Sequence, residues 1–357
     1  MRVLLVAGSF PPEQCGVGDY TEKLATALAA LPDTEIGVLT TRSAKTSRID
    51  GVEILNKVIA WKFGELFALI GIIRAWRPDI LHIQYPSQGF FYRHMPSVLP
   101  LLCRMLGIKV VQTWHEPYRL RGLVDFSLQF VGANGLIFVR KNYLALLPPS
   151  IRWLVEKINF SIIANAGSLP LCSLSADQIS QRRRELLGGQ KRLVVFFGFL
   201  YPGKGIELLL NIANPETDRL IIAGAIADQD YQNYLVAIAA SKAWANNIEF
   251  PGFLSSEDAA NLLASADAVV LPFLNGGGDW NTSIHGAQTQ GTLVITTSEN
   301  PFGDKVSENI YTAAPNAIGE MRTALNTLAG RRSAPRSTTT QWHNIAVEHL
   351  AFYERIR

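Results

Sequence analysis

Short uninterrupted apolar runs recur along the chain, separated by stretches in which apolar positions return every three to four residues. The runs predict strands buried on both faces, and the longer period predicts helices packed against them. In the first half this gives strands over 2–7, 35–40, around 52–55, 80–84, 109–113 and 135–139. Helices are predicted over 20–31, 63–76, 97–106 and 125–132. In the second half an apolar run ending at Phe197 passes through a glycine-rich turn into an amphipathic stretch. Strands over 220–225, 248–254 and 267–273 then alternate with helices over 231–241 and 257–264. A loop over 275–283 opens a further helix, and the last helix covers 342–356. Strands alternating with helices predict α/β architecture with parallel sheets, whose ligands sit outside the carboxyl ends of the strands.

A chain of 357 residues exceeds what one core usually serves, so two doubly wound domains are expected. The first covers 1–170 and the second 171–340, with the segment 171–191 making the crossing. A short linker between domains of this size favours hinge closure over a cleft. Hydrophobic residues at 48% against charged ones at 18% exclude a disordered chain. The polar stretch 331–340 is expected to be a surface loop.

Net charge refines this picture. Residues 1–170 hold 18 Lys and Arg against 12 Asp and Glu, and the remainder 15 against 18. The basic first half suits an anionic acceptor or peripheral contact with an anionic membrane, through Trp61, Lys62, Arg74, Trp76, Arg77, Arg93, Arg104 and Lys109; a solvated helix surface is the alternative. The basic residues form no dense stripe and accompany no recognition motif, which argues against nucleic acid. Cys15, Cys103 and Cys172 give neither a disulfide framework nor a zinc spacing. No run reaches membrane length and residues 3–7 are too short for a signal peptide, so a cytoplasmic protein is expected.

The chemistry concentrates in Gly198-Phe-Leu-Tyr-Pro-Gly-Lys-Gly205. Glycines there let the backbone turn tightly and bring N–H groups near an anion, and Lys204 adds a point charge beside a helix N-terminus. The same turn also serves as a plain connection, so its surroundings decide. Asp228-Gln-Asp230 imitates a metal-binding D-x-D, but it follows a buried strand and precedes a helix, where aspartates cap N–H groups. Gly8 is followed by Ser-Phe-Pro-Pro, which is no dinucleotide fingerprint.

The order of these pieces resembles family 4 glycosyltransferases, which have the GT-B fold: two Rossmann-like, doubly wound parallel-sheet domains facing across a cleft. The family's G-x-L-x-x-x-K-G turn on the donor diphosphate reads here as Gly198 to Gly205, and its turn beside the nucleobase as Gly252-Phe-Leu-Ser255. The strand and loop that complete its donor site read as Ala266 to Pro272 and Asn275 to Ser283. Pro11-Pro-Glu-Gln-Cys-Gly-Val-Gly-Asp-Tyr20 looks like the first glycine loop, and His82 and His115 look like the family's D-x-x-H and T-x-H strand ends. The resemblance implies a donor site of Gly16, Val17, Gly18, Gly198, Phe199, Lys204, Gly224, Gly252, Phe253, Leu254, Gly278, Asn281, Thr282 and Ser283. It also implies that the last helix, 341–357, returns to the first domain.

Two departures stand out. A glutamate pair frequent in the family falls on Gly278 and Gly286, and Phe199 occupies a position where an arginine is common. The loop Gly276-Gly-Gly-Asp-Trp-Asn-Thr-Ser283 instead resembles a glycine- and aspartate-rich subset. Charge on the donor phosphates then rests on Lys204, backbone N–H groups and the hydroxyls of Thr282 and Ser283, without a metal or another cofactor. His115 is the expected catalytic side chain with Lys204, and Asp279 is a candidate for the sugar hydroxyls. The resemblance implies hexose transfer, from UDP-glucose first of all and with retention, to a saccharide or lipid-linked glycan. A non-catalytic nucleotide-sugar or glycan binder and a nucleotide-sugar epimerase are the rivals.

Overall fold

The computed structural model describes residues 1–43, 48–91, 93–116, 129–240 and 243–357. The chain forms two compact units, Met1–Asn165 with Thr339–Arg357, and Ala166–Thr338.

The first unit is built on a seven-stranded sheet: β1 (Arg2–Val6), β2 (Glu35–Thr41), β3 (Val52–Val58), β4 (Ile80–Tyr85), β5 (Lys109–Trp114), β6 (Gly135–Phe138) and β7 (Asn159–Ile162). The strands lie in the order β3-β2-β1-β4-β5-β6-β7, and every pairing is parallel. The apolar runs explain this order. β1, β4 and β5 are buried almost throughout, whereas β7 at the edge is largely exposed. Chain order reverses between β1 and β4, where an open α/β sheet leaves a crevice at its carboxyl edge. The helix Thr338–Ile356 buries Trp342, Ile345, Ala346, His349, Phe352, Tyr353 and Ile356, a stripe at helical period. A Cβ on Gly135 of β6 would lie 2.8 Å from the Phe352 ring, so the helix sits tightly on this sheet.

The second unit repeats the scheme with β8 (Arg192–Phe197), β9 (Asp218–Ala223), β10 (Ile248–Gly252), β11 (Ala268–Leu271), β12 (Val294–Thr297), β13 (Gly303–Lys305) and β14 (Ile310–Ala313). Its order is β10-β9-β8-β11-β12-β14-β13, and only the edge pair β13–β14 is antiparallel. The reversal here falls between β8 and β11. Both units are therefore doubly wound Rossmann-like sheets.

Several local expectations need adjustment. Residues 166–170, assigned by sequence to the first domain, pack with the second unit: Gly167 lies against Thr289, His285 and Thr338, and Gln290 Nε2 donates to the Pro170 carbonyl at 2.8 Å. The crossing segment contains an unforeseen helix, Ala176–Leu187. Ser175 and Gln178 cap it reciprocally and Gly188 ends it in the left-handed region. Arg183 in that helix holds Asp267 with two bonds of 2.8 and 2.7 Å, and Asp267 also accepts from Leu193 N. The amphipathic helix after Gly205 is only two short turns, Ile206–Leu208 and Leu209–Ile212. The helix Gly16–Ala29 starts four residues earlier than expected and so takes in the glycines assigned to a loop. Of the helix expected over 125–132, residues 125–128 lie outside the described residues, and 129–131 are helical.

Trp61 and Trp76 are core residues rather than surface aromatics; Trp61 lies edge-on to Phe90. The apolar surface near them belongs instead to Ile59, Phe63 and Phe67, with exposures of 65, 53 and 86%. Among the described residues no helix is long and apolar enough to cross a membrane.

Candidate active site

In the second unit the carboxyl ends of β8, β9 and β10 finish in Gly198, Gly224 and Gly252, leaving a rim of bare backbone. Strand pairing continues into this rim: Gly198 N donates to Ala223 O at 3.0 Å and Gly224 N to Gly252 O at 2.9 Å. Gly224 comes so close to Gly198 that any Cβ would overlap the Gly198 carbonyl. Gly205, at φ +64°, is equally constrained, because a Cβ there would overlap the carbonyl oxygen of Pro272. Leu274 N donates to Gly203 O at 3.1 Å, stitching the glycine turn to the end of β11 across the point where strand order reverses. The turn is thus a built cradle at the switch point of the sheet.

Lys204 is presented by that turn, its Nζ 4.6 Å from the Phe273 ring centroid and 5.1 Å from that of Tyr201. Such stacking holds an ammonium while leaving it charged. The helix Thr282–Thr289 begins beside Gly198, at the start of the same turn. A Cβ on Gly198 would meet Ser283 Oγ at 2.9 Å, so the buried Ser283 hydroxyl lies against the first glycine of the turn. Asn281 precedes this helix, but its side chain does not cap it: Oδ1 accepts from Gly278 N at 2.9 Å and closes the loop. A helix N-terminus carries partial positive charge from its first N–H groups. Gly198, Gly224 and Ser283 are accordingly brought together, with Lys204 on the same turn as Gly198 and Thr282 in the first helical turn.

The other expected positions are more varied. Phe199 is half-buried, Phe253 is 57% exposed beyond β10, and Leu254 packs on the core. Asp279 is exposed, and its carbonyl accepts from His285 Nε2 at 2.8 Å. Gly278 and Gly286 are each closely covered by their neighbours. The Trp280 ring covers Gly278, and a Cβ on Gly286 would lie 3.1 Å from Leu169 and 3.6 Å from Leu263. A glutamate at 278 would displace the indole, and one at 286 would start out among apolar side chains. Asp228 caps the helix Gln229–Ala239 by accepting from Tyr231 N at 2.9 Å. Tyr231 Oη in turn receives Ile206 N at 3.2 Å and donates to Glu207, which ties that helix to the start of the turn after Gly205.

In the first unit Gly16, Val17 and Gly18 form the first turn of the helix Gly16–Ala29. A Cβ on Gly18 would meet Ser9 O at 2.9 Å, so the helix lies directly on the chain leaving β1. Asp19, next in this turn, has its carboxyl raised to about 6, mainly by burial and then by Glu22, with Lys23 opposing. The sequence gives no sign of this shift, because an acid in a first helical turn is ordinarily a dipole partner.

His115 follows β5, its N–H bonded to Tyr85 O of β4 at 2.7 Å. Its ring is buried edge-on to Tyr20, with centroids 4.5 Å apart, and Nε2 lies 2.9 Å from Gln84 Oε1. Gln84 Nε2 lies 3.3 Å from His82 Nε2, which is also 2.7 Å from Thr113 Oγ1, and His82 Nδ1 is 2.6 Å from Tyr353 Oη. A third histidine, His349, has Nδ1 2.7 Å from Ile345 O and Nε2 3.3 Å from Tyr20 Oη. Burial, reinforced by His349, pushes His115 down to about 3. Burial alone pushes His349 down to about 4, against the Ile345 carbonyl, and His82 lies well below its usual range for the same reason as well as for its two histidine neighbours. All three are neutral near pH 7.

Residues 177–336, just under half of the chain, match the model of the family Glycosyl transferases group 1. No curated protein matches. Among solved structures, sucrose-phosphate synthase from Thermosynechococcus elongatus superposes with a TM-score of 0.75 at 15% identity, covering 100% of this chain and 99% of that one. The Anabaena protein HepE in complex with UDP and glucose gives 0.67 at 16% identity, over 100% and 98%. The catalytic domain of starch synthase IV from Arabidopsis thaliana, bound to ADP and acarbose, gives 0.71 at 12% identity, over 100% and 99%. Likeness along the whole chain at such low identity is likeness of fold, and that fold is GT-B.

Proposed function

We propose that the protein is a glycosyltransferase that moves a hexose from a nucleoside diphosphate sugar to a saccharide or lipid-linked acceptor. The observation that carries this reading is the cradle of Gly198, Gly205 and Gly224 at the sheet's switch point, with Lys204 and Ser283 beside it. It lies within the segment that matches the group 1 family. Its chemistry suits a diphosphate leaving group: as the anomeric bond breaks, negative charge grows on the phosphate. Lys204, the hydroxyls of Thr282 and Ser283 and the N–H groups of that helix start would stabilise it without a metal. We take UDP-glucose as the donor because HepE was crystallised with UDP, with UDP and glucose, and with UDP-glucose. Transfer with retention follows if the leaving phosphate accepts the acceptor's proton, with His115 and Asp279 orienting the sugars. For a lipid-linked acceptor, the exposed Ile59, Phe63 and Phe67 beside Lys62 and Arg74 are the surface we assign to peripheral contact with an anionic membrane in the cytoplasm.

The missing carboxylates at Gly278 and Gly286 favour one rival, a binder of nucleotide sugars that does not turn them over. Ligand-observed NMR with UDP-, GDP- and ADP-glucose tests the shared premise. UDP-glucose is expected to bind, to be displaced by UDP, and to bind equally well in EDTA. A folded protein that engages none of these donors would remove both readings together.

A further inference from the structure

One face of β4 and β5 changes character along its length. Ile80, near the start of β4, is apolar, whereas His82 and Gln84, at alternate positions on that strand, are polar, as are Thr113 and His115 at the end of β5. The helix Thr338–Ile356 lies over this face, and its stripe changes in step: Phe352 and Ile356 are apolar, His349 and Tyr353 are not. His82, Gln84, Thr113, His349 and Tyr353 are completely buried, and Tyr20 is nearly so. His115, at 8% exposure, is the member of the group that reaches furthest toward the surface. Burying this many polar groups costs stability unless each is bonded, and apolar side chains would fill the same space at less risk. The polarity is concentrated at the carboxyl end of the strands, where α/β sheets place their ligands.

The bonds also have a direction. Gln84 Oε1 can only accept, so His115 Nε2 carries a proton and donates to it. Gln84 Nε2 can only donate, so His82 Nε2 accepts, from it at 3.3 Å and from the Thr113 hydroxyl at 2.7 Å, and its Nδ1 carries the proton, donated to Tyr353 Oη. A neutral His115 is then left with Nδ1 as an acceptor, and among the described residues nothing bonds that nitrogen. Independently, Ile345 O fixes His349 as the Nδ1–H form, which leaves its Nε2 to receive the Tyr20 hydroxyl; the same tyrosine ring abuts His115.

We infer that Gln84 is a positioning residue that fixes His115 as the Nε2–H tautomer with its Nδ1 an open acceptor, and that the C-terminal helix holds Gln84 in register through Tyr353 and His82. The inference rests on the proposed transferase reading for its purpose, since an acceptor nitrogen at this edge would receive a sugar hydroxyl. Its geometry stands without that reading. Tyr353, 271 residues distant from His82 in sequence, thereby acts on His115 without touching it.

The test is ¹⁵N NMR of the full chain labelled in histidine, combined with donor turnover. Wild type should show His115 as a single neutral Nε2–H tautomer. Gln84→Met should mix the two tautomers and lower kcat about tenfold while leaving donor KM within about twofold, as expected when a side chain that orients a sugar hydroxyl loses its own orientation. Gln84→Glu, which keeps an acceptor on His115, should restore the Nε2–H signature and raise the His115 titration midpoint. Tyr353→Phe should disturb the His82 signals first and those of His115 more weakly. An Nδ1–H form of His115 in wild type, or an unchanged tautomer in Gln84→Met, overturns the inference. Should the tautomer respond as described in a protein that turns over no donor, the relay holds and the transferase reading is what fails.

Discussion

Replacing Lys204 by alanine is expected to reduce turnover of the nucleotide sugar at least about a hundredfold, which corresponds to about 2.7 kcal/mol of transition-state stabilisation. The size follows from what the cradle offers. Gly198, Gly205 and Gly224 bring backbone close to a ligand but carry no net charge, and Phe199 between them adds none. Of the side chains assembled around the cradle, Lys204 supplies the cation, and it reaches its place by resting on Phe273 and Tyr201. Removing it forfeits stacking worth about 0.5–1 kcal/mol of stability, too little to unfold the unit. The measurement is steady-state release of UDP by the folded variant, checked by circular dichroism. Lys204→Arg should recover part of the loss, because a guanidinium also stacks on aromatic rings and pairs with phosphate. Unchanged turnover in Lys204→Ala would remove the role assigned to this side chain.

The central strands β1, β4, β5 and β8 are legible because a parallel sheet covered on both faces leaves no alternation, only continuous apolar runs. The glycine cradle is legible because positive φ and close backbone approach restrict what can stand at Gly205 and Gly224. The helix Ala176–Leu187 is hard to see for the opposite reason: it buries only Leu187, so it lacks an apolar stripe, although Ser175, Gln178 and Gly188 spell out both of its ends. The turn after Gly205 promised a longer helix than it delivers, since Asn214-Pro215 stops it early. His115 and His82 were visible as strand-end histidines. Gln84, Tyr353 and His349 were not, because a lone polar residue in an apolar strand or helix announces no partner, and these partners meet only when the last helix returns to the first sheet.

A fall in pH from 7.5 to 5 is expected to destabilise the first unit strongly. His115 and His349 have folded-state values of about 3 and 4, below the ordinary 6.5, so the unfolded chain binds more protons than the folded one between those limits. Their stabilising contribution is complete above pH 6.5 and is lost as pH falls toward the folded values. At pH 5 each has given up about 2 kcal/mol. His82, also depressed, acts in the same direction. Asp19 works against them: its carboxyl is raised to about 6, so the folded state gains stability as pH falls through that value. One acid does not offset three histidines. Urea unfolding followed by tryptophan fluorescence reports largely on this unit, which holds Trp61, Trp76, Trp114, Trp153 and Trp342. A midpoint that does not move between pH 7.5 and 5 would show that the three imidazoles are not held neutral in the fold.

The most direct measurement is real-time ¹H NMR of UDP-glucose with the purified protein, first alone and then with a panel of saccharide and lipid-linked acceptors. Glycosyl transfer predicts loss of the donor's anomeric signal with matching appearance of UDP, slow in water and faster with a suitable acceptor, and a product whose anomeric configuration matches the donor's. A donor that binds and stays intact beside every acceptor would contradict it, and would leave a protein that holds a nucleotide sugar without transferring it.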